Sequence, residues 1–182
     1  MSNLFLRHGE VHNLKDIMYG DIPGYRLSTK GIAQAKNAAD YIKANFTIEK
    51  IISSPVLRAR ETSEYVADVL QVEVDISHNL YEWSGVIGWT GTTFNEFSNT
   101  EDYPIYKNNP IDVINTAETL QSVYERVGDL YHSVDNALLV SHQDTIRAFT
   151  FFETKSSLFN NEKPEHCGIQ EVSNEIVITH TY

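Results

Sequence analysis

The chain has 182 residues, the length of one ordinary domain, and it can bury a core without disulfide or metal cross-links. Its 14 Lys and Arg residues are outnumbered by 25 Asp and Glu residues, giving a formal net charge of −11. This excess of negative charge argues against general nucleic-acid binding and against docking on anionic membranes. We therefore predict no nucleic-acid and no membrane partner, while composition does not determine the oligomeric state.

Cysteine content and hydropathy indicate the expected compartment. Cys167 is the single cysteine, which excludes an intramolecular disulfide and a zinc site built from several cysteines. We interpret it as a small buried residue rather than as a thiol nucleophile. No apolar run approaches the length of a membrane span, and the apolar stretch near residue 4 is too short for a signal peptide. We expect a cytoplasmic protein.

Strand and helix signals alternate over the first half of the chain. Short apolar runs predict strands, Ser28 has the chemistry of a helix N-cap, and Pro55 is placed to open a second helix. Polar and apolar residues alternate from 72 to 76, which predicts a strand with one solvated face. The predicted elements are a strand at 3–6, a helix at 28–45, a strand at 48–53, a helix at 55–70 and a strand at 72–76.

Glycines and prolines interrupt the periodicity between residues 80 and 116, where we predict an insertion that caps the domain. The remaining predicted elements are a short helix at 93–98, a helix at 117–132, a buried strand at 137–140, a helix at 144–152 and strands at 169–172 and 175–179. This order predicts a three-layer α/β sandwich with a mostly parallel central sheet. We expect a single domain over residues 1–182, with a small cap at about 83–116.

Two histidines follow predicted strands directly. His8 comes after the first strand, with Arg7 beside it, and His142 comes after the strand at 137–140. In a parallel sheet, both would emerge at the carboxyl edge, where open α/β sheets place their ligand crevice. Arg58 lies early in the helix after the second strand, so it can point into the same crevice.

Two arginines and two histidines at one point fit a phosphoryl group. The guanidinium fork bonds phosphate oxygens in pairs, and a neutral imidazole nitrogen can act as a nucleophile. A carboxyl group is then needed to give a proton to the leaving group. Glu82 is the candidate, because the neighbouring aromatic Trp83 can desolvate it and raise its pKa.

Five segments together resemble the histidine phosphatase superfamily, in its phosphoglycerate-mutase-like branch. The signature Leu6-Arg7-His8-Gly9-Glu10 alone is only suggestive, but the others follow in the family's order. They are 27–35 (Leu-Ser-Thr-Lys-Gly-Ile-Ala-Gln-Ala), 53–62 (Ser-Ser-Pro through Arg, Ala and Thr), 80–91 (Leu-Tyr-Glu and Gly-Trp-Thr-Gly) and 140–148 (Val-Ser-His and Ile-Arg-Ala).

The resemblance implies a role for each matching residue. His8 is the nucleophile that becomes phosphohistidine, and Glu82 is the proton donor that later activates water. Arg7, Arg58 and His142 form the phosphate pocket. The resemblance implies that no metal is needed, and we predict neither a metal nor a cofactor here. The spacing of His8 and His12 could suit zinc, but no third ligand is evident in the sequence.

The sequence departs from the family pattern at several positions close to the predicted phosphate site. Asn13 falls one position short of the family's asparagine, and Val11 replaces a threonine. Gln143 and Asp144 stand where glycines are common after the second histidine, and the backbone N–H groups there would still bind an anion at the helix start. We predict Asn13 and Gln143 as substrate-binding residues. The loop after Glu82 is one residue longer than in common forms.

Charge in the cap region indicates the class of substrate. Residues 86–130 hold seven acids but only two bases, Lys107 and Arg126, whereas a phosphoglycerate mutase needs extra cations for a second anionic group. Six aromatic side chains in or next to this region could contact an apolar substrate body: Trp83, Trp89, Phe94, Phe97, Tyr103 and Tyr106. We predict a metal-independent phosphomonoesterase for a small phosphorylated metabolite that carries few other negative charges.

The alternatives are a cofactor-dependent phosphoglycerate mutase and a non-catalytic module that binds phosphorylated ligands. We interpret Arg60 and Arg147 as surface or helix-end charges.

Overall fold

A computed structural model of the chain describes residues 3–156, 159 and 163–182. Six strands form one sheet in the order β3-β2-β4-β1-β5-β6. The strands are β1 (Leu4–Arg7), β2 (Lys50–Ser53), β3 (Val74–Ile76), β4 (Ala137–Ser141), β5 (Ile169–Ser173) and β6 (Ile176–His180). The helices are α1 (Thr29–Asn45), α2 (Leu57–Leu70), α3 (Phe94–Ser98), α4 (Asp102–Asn108), α5 (Leu120–Tyr131) and α6 (Gln143–Glu153).

The sheet is parallel where the candidate residues lie. Strand β4 pairs in parallel with both β1 and β2, and β2 pairs in parallel with β3. Only the β1–β5 and β5–β6 pairings are antiparallel among the described strands. The predicted α/β class and mostly parallel central sheet are therefore confirmed.

Alternating side chains of the central strands build a core on each face of the sheet. On one face, Leu4 and Leu6 of β1 pack with the buried alanines of α1 and with Val66 of α2. On the other face, Phe5 packs with Val127 of α5 and with the buried side chains of α6. Because these strands are covered on both sides, each contains a continuous apolar run, with its polar residues at the strand ends, as is typical of parallel sheets.

Most predicted boundaries differ from the observed ones by one to three residues, and local geometry explains two of these differences. Helix α5 begins at Leu120 rather than at 117, since Thr119 is its N-cap and accepts a hydrogen bond from Ser122 N. The turn between β5 and β6 lies at Asn174 and Glu175, which both have positive φ, so Glu175 belongs to the turn and not to the last strand.

The helix α4 is absent from the sequence prediction. Pro104 is the reason, because it suggests a break, yet it sits in the first turn, where a missing N–H costs no helical hydrogen bond. The short helix predicted near 93–98 is confirmed as α3, and Thr93 and Glu96 cap each other's backbone N–H groups.

The cap aromatics pack against each other. Trp83, Trp89 and Phe97 are buried, and Tyr106 stacks on Trp83 with ring centroids 6.2 Å apart. They continue the core cluster of Phe5 and α5. These rings are used in packing, and Phe94 alone of the six is exposed. Trp89 and Phe97 also line a cavity of about 270 Å³, so a substrate contact by the cap aromatics stays a prediction. No helix in the described part of the chain is long and apolar enough to cross a membrane.

Candidate active site

The sheet register brings the two histidines side by side. Arg7 at the end of β1 is paired with Ser141 at the end of β4, so His8 and His142 leave the same edge of neighbouring parallel strands. Their ring centroids are 5.2 Å apart, and both side chains are buried. The structure thus brings together the two residues that the sequence separates by more than a hundred positions.

His8 has one ring nitrogen bonded to the backbone and one available for chemistry. Arg58 Nε donates to His8 Nε2 over 3.1 Å, so Nε2 must be unprotonated, because a guanidinium is only a donor. The ring proton is then on Nδ1, which donates to the Gly9 carbonyl oxygen over 2.8 Å. Burial and then Arg58 lower the pKa of His8 well below its usual value, so the ring is neutral near neutral pH, the form in which an imidazole can act as a nucleophile.

Gly9 allows the loop after His8 to approach α1. A Cβ at this position would lie 2.6 Å from the Gly31 carbonyl oxygen, which is a backbone atom that cannot move aside. The Gly9 N–H is also used, since it donates to Thr62 Oγ1 over 3.0 Å. The first signature segment is therefore held between α1 and α2.

Arg58 reaches the site from the first turn of α2 and is fully buried. Its Nη2 donates to the Gly20 carbonyl oxygen over 2.8 Å, and its guanidinium carbon lies 4.7 Å from the centroid of the Tyr19 ring. The loop of residues 19–20 thus covers this arginine, with Tyr19 also edge-on to His8.

His142 is the N-cap residue of α6 and points its ring between Ser54 and Glu82. Its Nε2 is 2.8 Å from Ser54 Oγ, and its Nδ1 is 3.8 Å from Glu82 Oε2. Burial, followed by Arg58 and His8, lowers the pKa of His142 well below its usual value. A neutral ring that accepts from Ser54 presents Nδ1–H to the centre of the site.

Buried nitrogen atoms without partners surround His8. Among the described residues, Arg7 Nε, Arg58 Nη1 and His142 Nδ1 are buried and make no hydrogen bond. Unmade hydrogen bonds of buried polar groups are costly, so three of them at one point indicate a group that accepts bonds from all three. An anion with several oxygens, such as a phosphoryl group, meets that need.

Glu82 holds its carboxyl in a fixed direction. Trp83 N donates to Oε1 over 2.9 Å, and Thr145 Oγ1 lies 3.2 Å from the same oxygen. Oε2 is therefore the oxygen that faces His142 and can carry a proton. Burial and then the charge of Asp144 raise the pKa of Glu82 to about 7, so the group can both give and take a proton near neutral pH.

The two predicted substrate-binding residues have different surroundings. Asn13 lines a cavity of about 440 Å³ that also contains Arg7, but its amide bonds the N–H and carbonyl of Ile17. Gln143 donates from its side chain to Asp144 Oδ1 over 3.3 Å. Both side chains are thus engaged within the protein, so a substrate contact at either position stays a prediction.

Asp144 does not leave an uncompensated charge behind the phosphate pocket. Arg147 Nη1 bonds Asp144 Oδ1 at 2.7 Å, and the Tyr106 hydroxyl donates to Asp144 Oδ2 over 3.3 Å. The interpretation of Arg147 as a surface or helix-end charge is wrong, since it lies inside α6, is 5% exposed and packs over the Phe159 ring. The arginine reaches Asp144 from the next turn of the helix, a spacing that the sequence contains.

Sequence analysis missed two residues beside the nucleophile. Tyr19 covers Arg58, and His166 lies 3.1 Å from Arg7 Nη2, with its ring centroid 5.7 Å from that of His8. Tyr19 lies in a run of turn-forming residues and His166 lies outside the five motif segments, so neither carries a sequence signal for the site. The described residues contain no group of three His, Cys, Asp or Glu side chains placed to hold a metal ion.

Comparisons with known proteins find relatives by sequence and neighbours by fold. A 2,3-bisphosphoglycerate-dependent phosphoglycerate mutase of Thermoplasma acidophilum is 32% identical over 147 residues, 80% of this chain and 72% of the relative. An uncharacterised protein of Mycobacterium tuberculosis is 43% identical over 77 residues, which span 42% of this chain and only 38% of that relative. A mycobacterial glucosyl-3-phosphoglycerate phosphatase, solved with VO3, has a TM-score of 0.82 at 20% identity, covering 100% of this chain and 98% of that chain.

The family assignment rests on the length of the sequence match as well as on the site. The profile of the histidine phosphatase superfamily (branch 1) matches residues 4–173, which include both histidines, both pocket arginines and the acid. Arg7 lies on β1 and Arg58 on α2, while His8 and His142 directly follow β1 and β4, as the sequence predicts. The chain belongs to the histidine phosphatase superfamily, branch 1.

Proposed function

We propose that this protein is a metal-independent phosphomonoesterase that hydrolyses a small phosphorylated metabolite through a phosphohistidine at His8. The observation that carries the proposal is the set of three buried, unpartnered nitrogens on Arg7, Arg58 and His142 around the unprotonated His8 Nε2. These donors can bind the oxygens of a phosphoryl group while Nε2 faces its phosphorus.

In the first step, His8 Nε2 attacks phosphorus and forms a P–N bond while the ester P–O bond breaks. Arg58 Nε turns its N–H from the ring nitrogen to a phosphoryl oxygen. Glu82 Oε2 gives its proton to the leaving oxygen, which departs as an alcohol.

In the second step, Glu82 takes a proton from water as the water oxygen attacks phosphorus. The P–N bond then breaks, inorganic phosphate leaves, and His8 and Glu82 return to their first states.

The leaving group would occupy the space beside Glu82. A cavity of about 300 Å³ there is lined by Glu82, Asp21, Glu118 and Arg126 together with polar residues. Arg126 bonds both carboxylate oxygens of Glu118, at 2.6 and 3.0 Å, so its charge is already matched. A second phosphate or a carboxylate on the substrate would meet acids in this cavity, which favours a substrate with one phosphate and few other negative charges.

A phosphoglycerate mutase is the second candidate. The Thermoplasma acidophilum relative, at 32% identity, carries that name, which is the observation in its favour. Against it stands the charge of the cavity at Glu82, since phosphoglycerate brings a carboxylate that needs a cation. A mutase also returns the phosphoryl group from His8 to the substrate, and a phosphatase passes it to water.

The test measures phosphate release from p-nitrophenyl phosphate and a panel of phosphorylated metabolites, with chelator present, for the native chain, His8→Ala and His132→Ala. His132 is a surface histidine beside Glu153, so His132→Ala controls for loss of an imidazole elsewhere. We expect turnover by the native chain and the control, and a loss of more than a thousandfold in His8→Ala.

A second readout follows the intermediate. Brief exposure to a ³²P-labelled substrate should give an acid-labile phosphoenzyme that is absent in His8→Ala. Isomerisation of phosphoglycerate without phosphate release would support the mutase instead. Ligand retention with neither product would indicate a binding module and overturn the enzymatic proposal.

A further inference from the structure

Arg7 is held from one side by the segment that precedes β5. Its Nη1 donates to the Pro164 carbonyl oxygen over 2.9 Å, and its Nη2 lies 3.1 Å from His166 Nε2. Because the guanidinium has no acceptor, His166 Nε2 must be unprotonated and accept this bond. In a neutral ring, the proton is then on Nδ1.

Backbone hydrogen bonds fix this segment to the end of β1. Cys167 N donates to the carbonyl oxygens of Arg7 and His8, at 3.1 and 3.3 Å, and Arg7 N donates to Gly168 O over 3.2 Å. Cys167 takes a left-handed conformation with φ of 59°, which turns the chain at this point. The backbone itself therefore sets where His166 stands relative to Arg7.

The surroundings of His166 keep its ring neutral, so that Nε2 stays a hydrogen-bond acceptor. Burial and then Arg7 lower its pKa to about 4, Glu10 acts in the opposite direction, and Lys30 and Lys163 lower it further. The ring is therefore neutral near pH 7. It lines the cavity of about 440 Å³ that contains Arg7 and Tyr19.

Two fixed acceptors constrain the plane of the Arg7 guanidinium. Arginine side chains have large rotamer freedom, which must be lost when they bind an anion. The bonds to Pro164 and His166 restrict that freedom before the ligand arrives, while Nε is left without a partner among the described residues. Prior orientation of a charged donor strengthens binding because less ordering is needed later.

We propose that His166 is a positioning residue for phosphoryl binding, whose Nε2 orients the Arg7 guanidinium toward the phosphoryl group at His8. The proposal rests on the proposed function in placing a phosphoryl group against Arg7. It concerns binding rather than turnover, and it assigns a role to a residue outside the five motif segments.

The experiment measures the affinity for inorganic phosphate by titration calorimetry at pH 7, in the native chain and in His166→Phe, His166→Gln and His166→Asn. A glutamine places its amide oxygen near the position of Nε2, whereas an asparagine places it near Nδ1. We expect His166→Phe and His166→Asn to bind phosphate about tenfold more weakly, and His166→Gln to stay within about threefold of the native chain. The control His132→Phe makes the same replacement at a surface histidine and should leave affinity unchanged.

Equal affinity of His166→Phe and the native chain would overturn the proposal, and so would equal losses in the Gln and Asn variants. If circular dichroism shows that His166→Phe does not fold, the proposal is tested by comparing the phosphate affinities of His166→Gln and His166→Asn. A native chain that binds no phosphate would overturn both the proposal and the pocket. A chain that binds phosphate with the expected variant pattern but hydrolyses no ester would refute only the proposed function.

Discussion

Burial has opposite effects on the acids and bases around His8, and both effects produce neutral groups. It lowers the pKa values of His8 and His142 and raises that of Glu82. Near neutral pH, the nucleophile is therefore unprotonated while the acid retains a substantial protonated fraction. Arg7 and Arg58 then provide the positive charge of the pocket, which complements the double negative charge of a phosphate monoester.

Asp144 influences the pKa of Glu82, the proton donor of the proposed mechanism. Its charge is the second cause, after burial, of the raised pKa of Glu82, while Arg58 and Arg7 act in the opposite direction. Glu82 must be protonated for the first step, so activity falls as pH rises through about 7. Asp144→Asn removes the charge that favours the protonated form. We expect the alkaline limb of the kcat/KM profile to move to lower pH by roughly one pH unit.

The control for this prediction is Asp129→Asn, which makes the same change of charge on the exposed side of α5. Its alkaline limb should coincide with that of the native chain. A limb that is unmoved in Asp144→Asn, or moved to higher pH, would contradict the assigned influence of Asp144 on Glu82. Because Arg147 loses its partner, circular dichroism should confirm that the variant is folded.

At the scale of elements, the first turn of α6 organises the acid and one histidine together. His142 is its N-cap residue, and Thr145 binds the backbone on both sides of Glu82, through Trp83 N and Tyr81 O. One helix start therefore sets the distance between the phosphate pocket and the proton donor. In the same helix, the ion pair with Arg147 holds the Asp144 side chain in place.

Helix α5 packs against α6, and the space around its Gly128 is large enough for an alanine side chain. A Cβ at Gly128 would meet only His132 Cδ2 at 3.8 Å and Phe149 Cε2 at 4.0 Å, which are ordinary contact distances. Glycine in a helix interior costs conformational entropy relative to alanine. We expect Gly128→Ala to raise the free energy of unfolding by about 0.5–1 kcal/mol in urea titration.

The matched variant is Gly31→Ala in α1. There a Cβ would lie 2.0 Å from the Glu10 carbonyl oxygen, so the same substitution should destabilise the fold. A loss of stability in Gly128→Ala would show that α5 and α6 pack more closely than these distances indicate.

At the scale of the whole molecule, the cap is continuous with the core on one face of the sheet. Trp83 and Trp89 belong to the same buried cluster as Phe5, Val127 and Phe149. The indole N–H of Trp83 also donates to Glu118 O, just before α5. The loop that carries Glu82 is therefore anchored in packing shared by the cap and the sheet.

This continuity predicts a single cooperative unfolding transition. The chain has two tryptophans, Trp83 and Trp89, so their fluorescence reports on the cap, whereas far-UV circular dichroism reports on all helices and strands. We expect the two signals to have the same midpoint and slope in urea. An earlier fluorescence transition would mean that the cap unfolds separately, and Trp89→Phe, with one reporter left, would locate it.

The sequence predicted most elements because their signals are local. The N-cap at Ser28 and the capping box at Thr93 are satisfied by neighbours three residues away, so both helices are recognisable without tertiary contacts. Helix α4 was less accessible, because the effect of Pro104 depends on where in a turn it falls. The aromatic residues of the cap were identified as a group, but their pattern could not show whether they face ligand or core.

By itself, the sequence determined the α/β class, the family and the chemical types of the pocket residues, because strand order and motifs lie along the chain. Only the tertiary structure decided the distances and protonation states that make a site, since these depend on burial and on partners distant in sequence. Arg58 and His8 are 50 positions apart, yet their 3.1 Å contact identifies the nucleophilic nitrogen. The contact between Arg7 and His166, across 159 positions, follows from the pairing of β1 with β5 and has no local sequence signal.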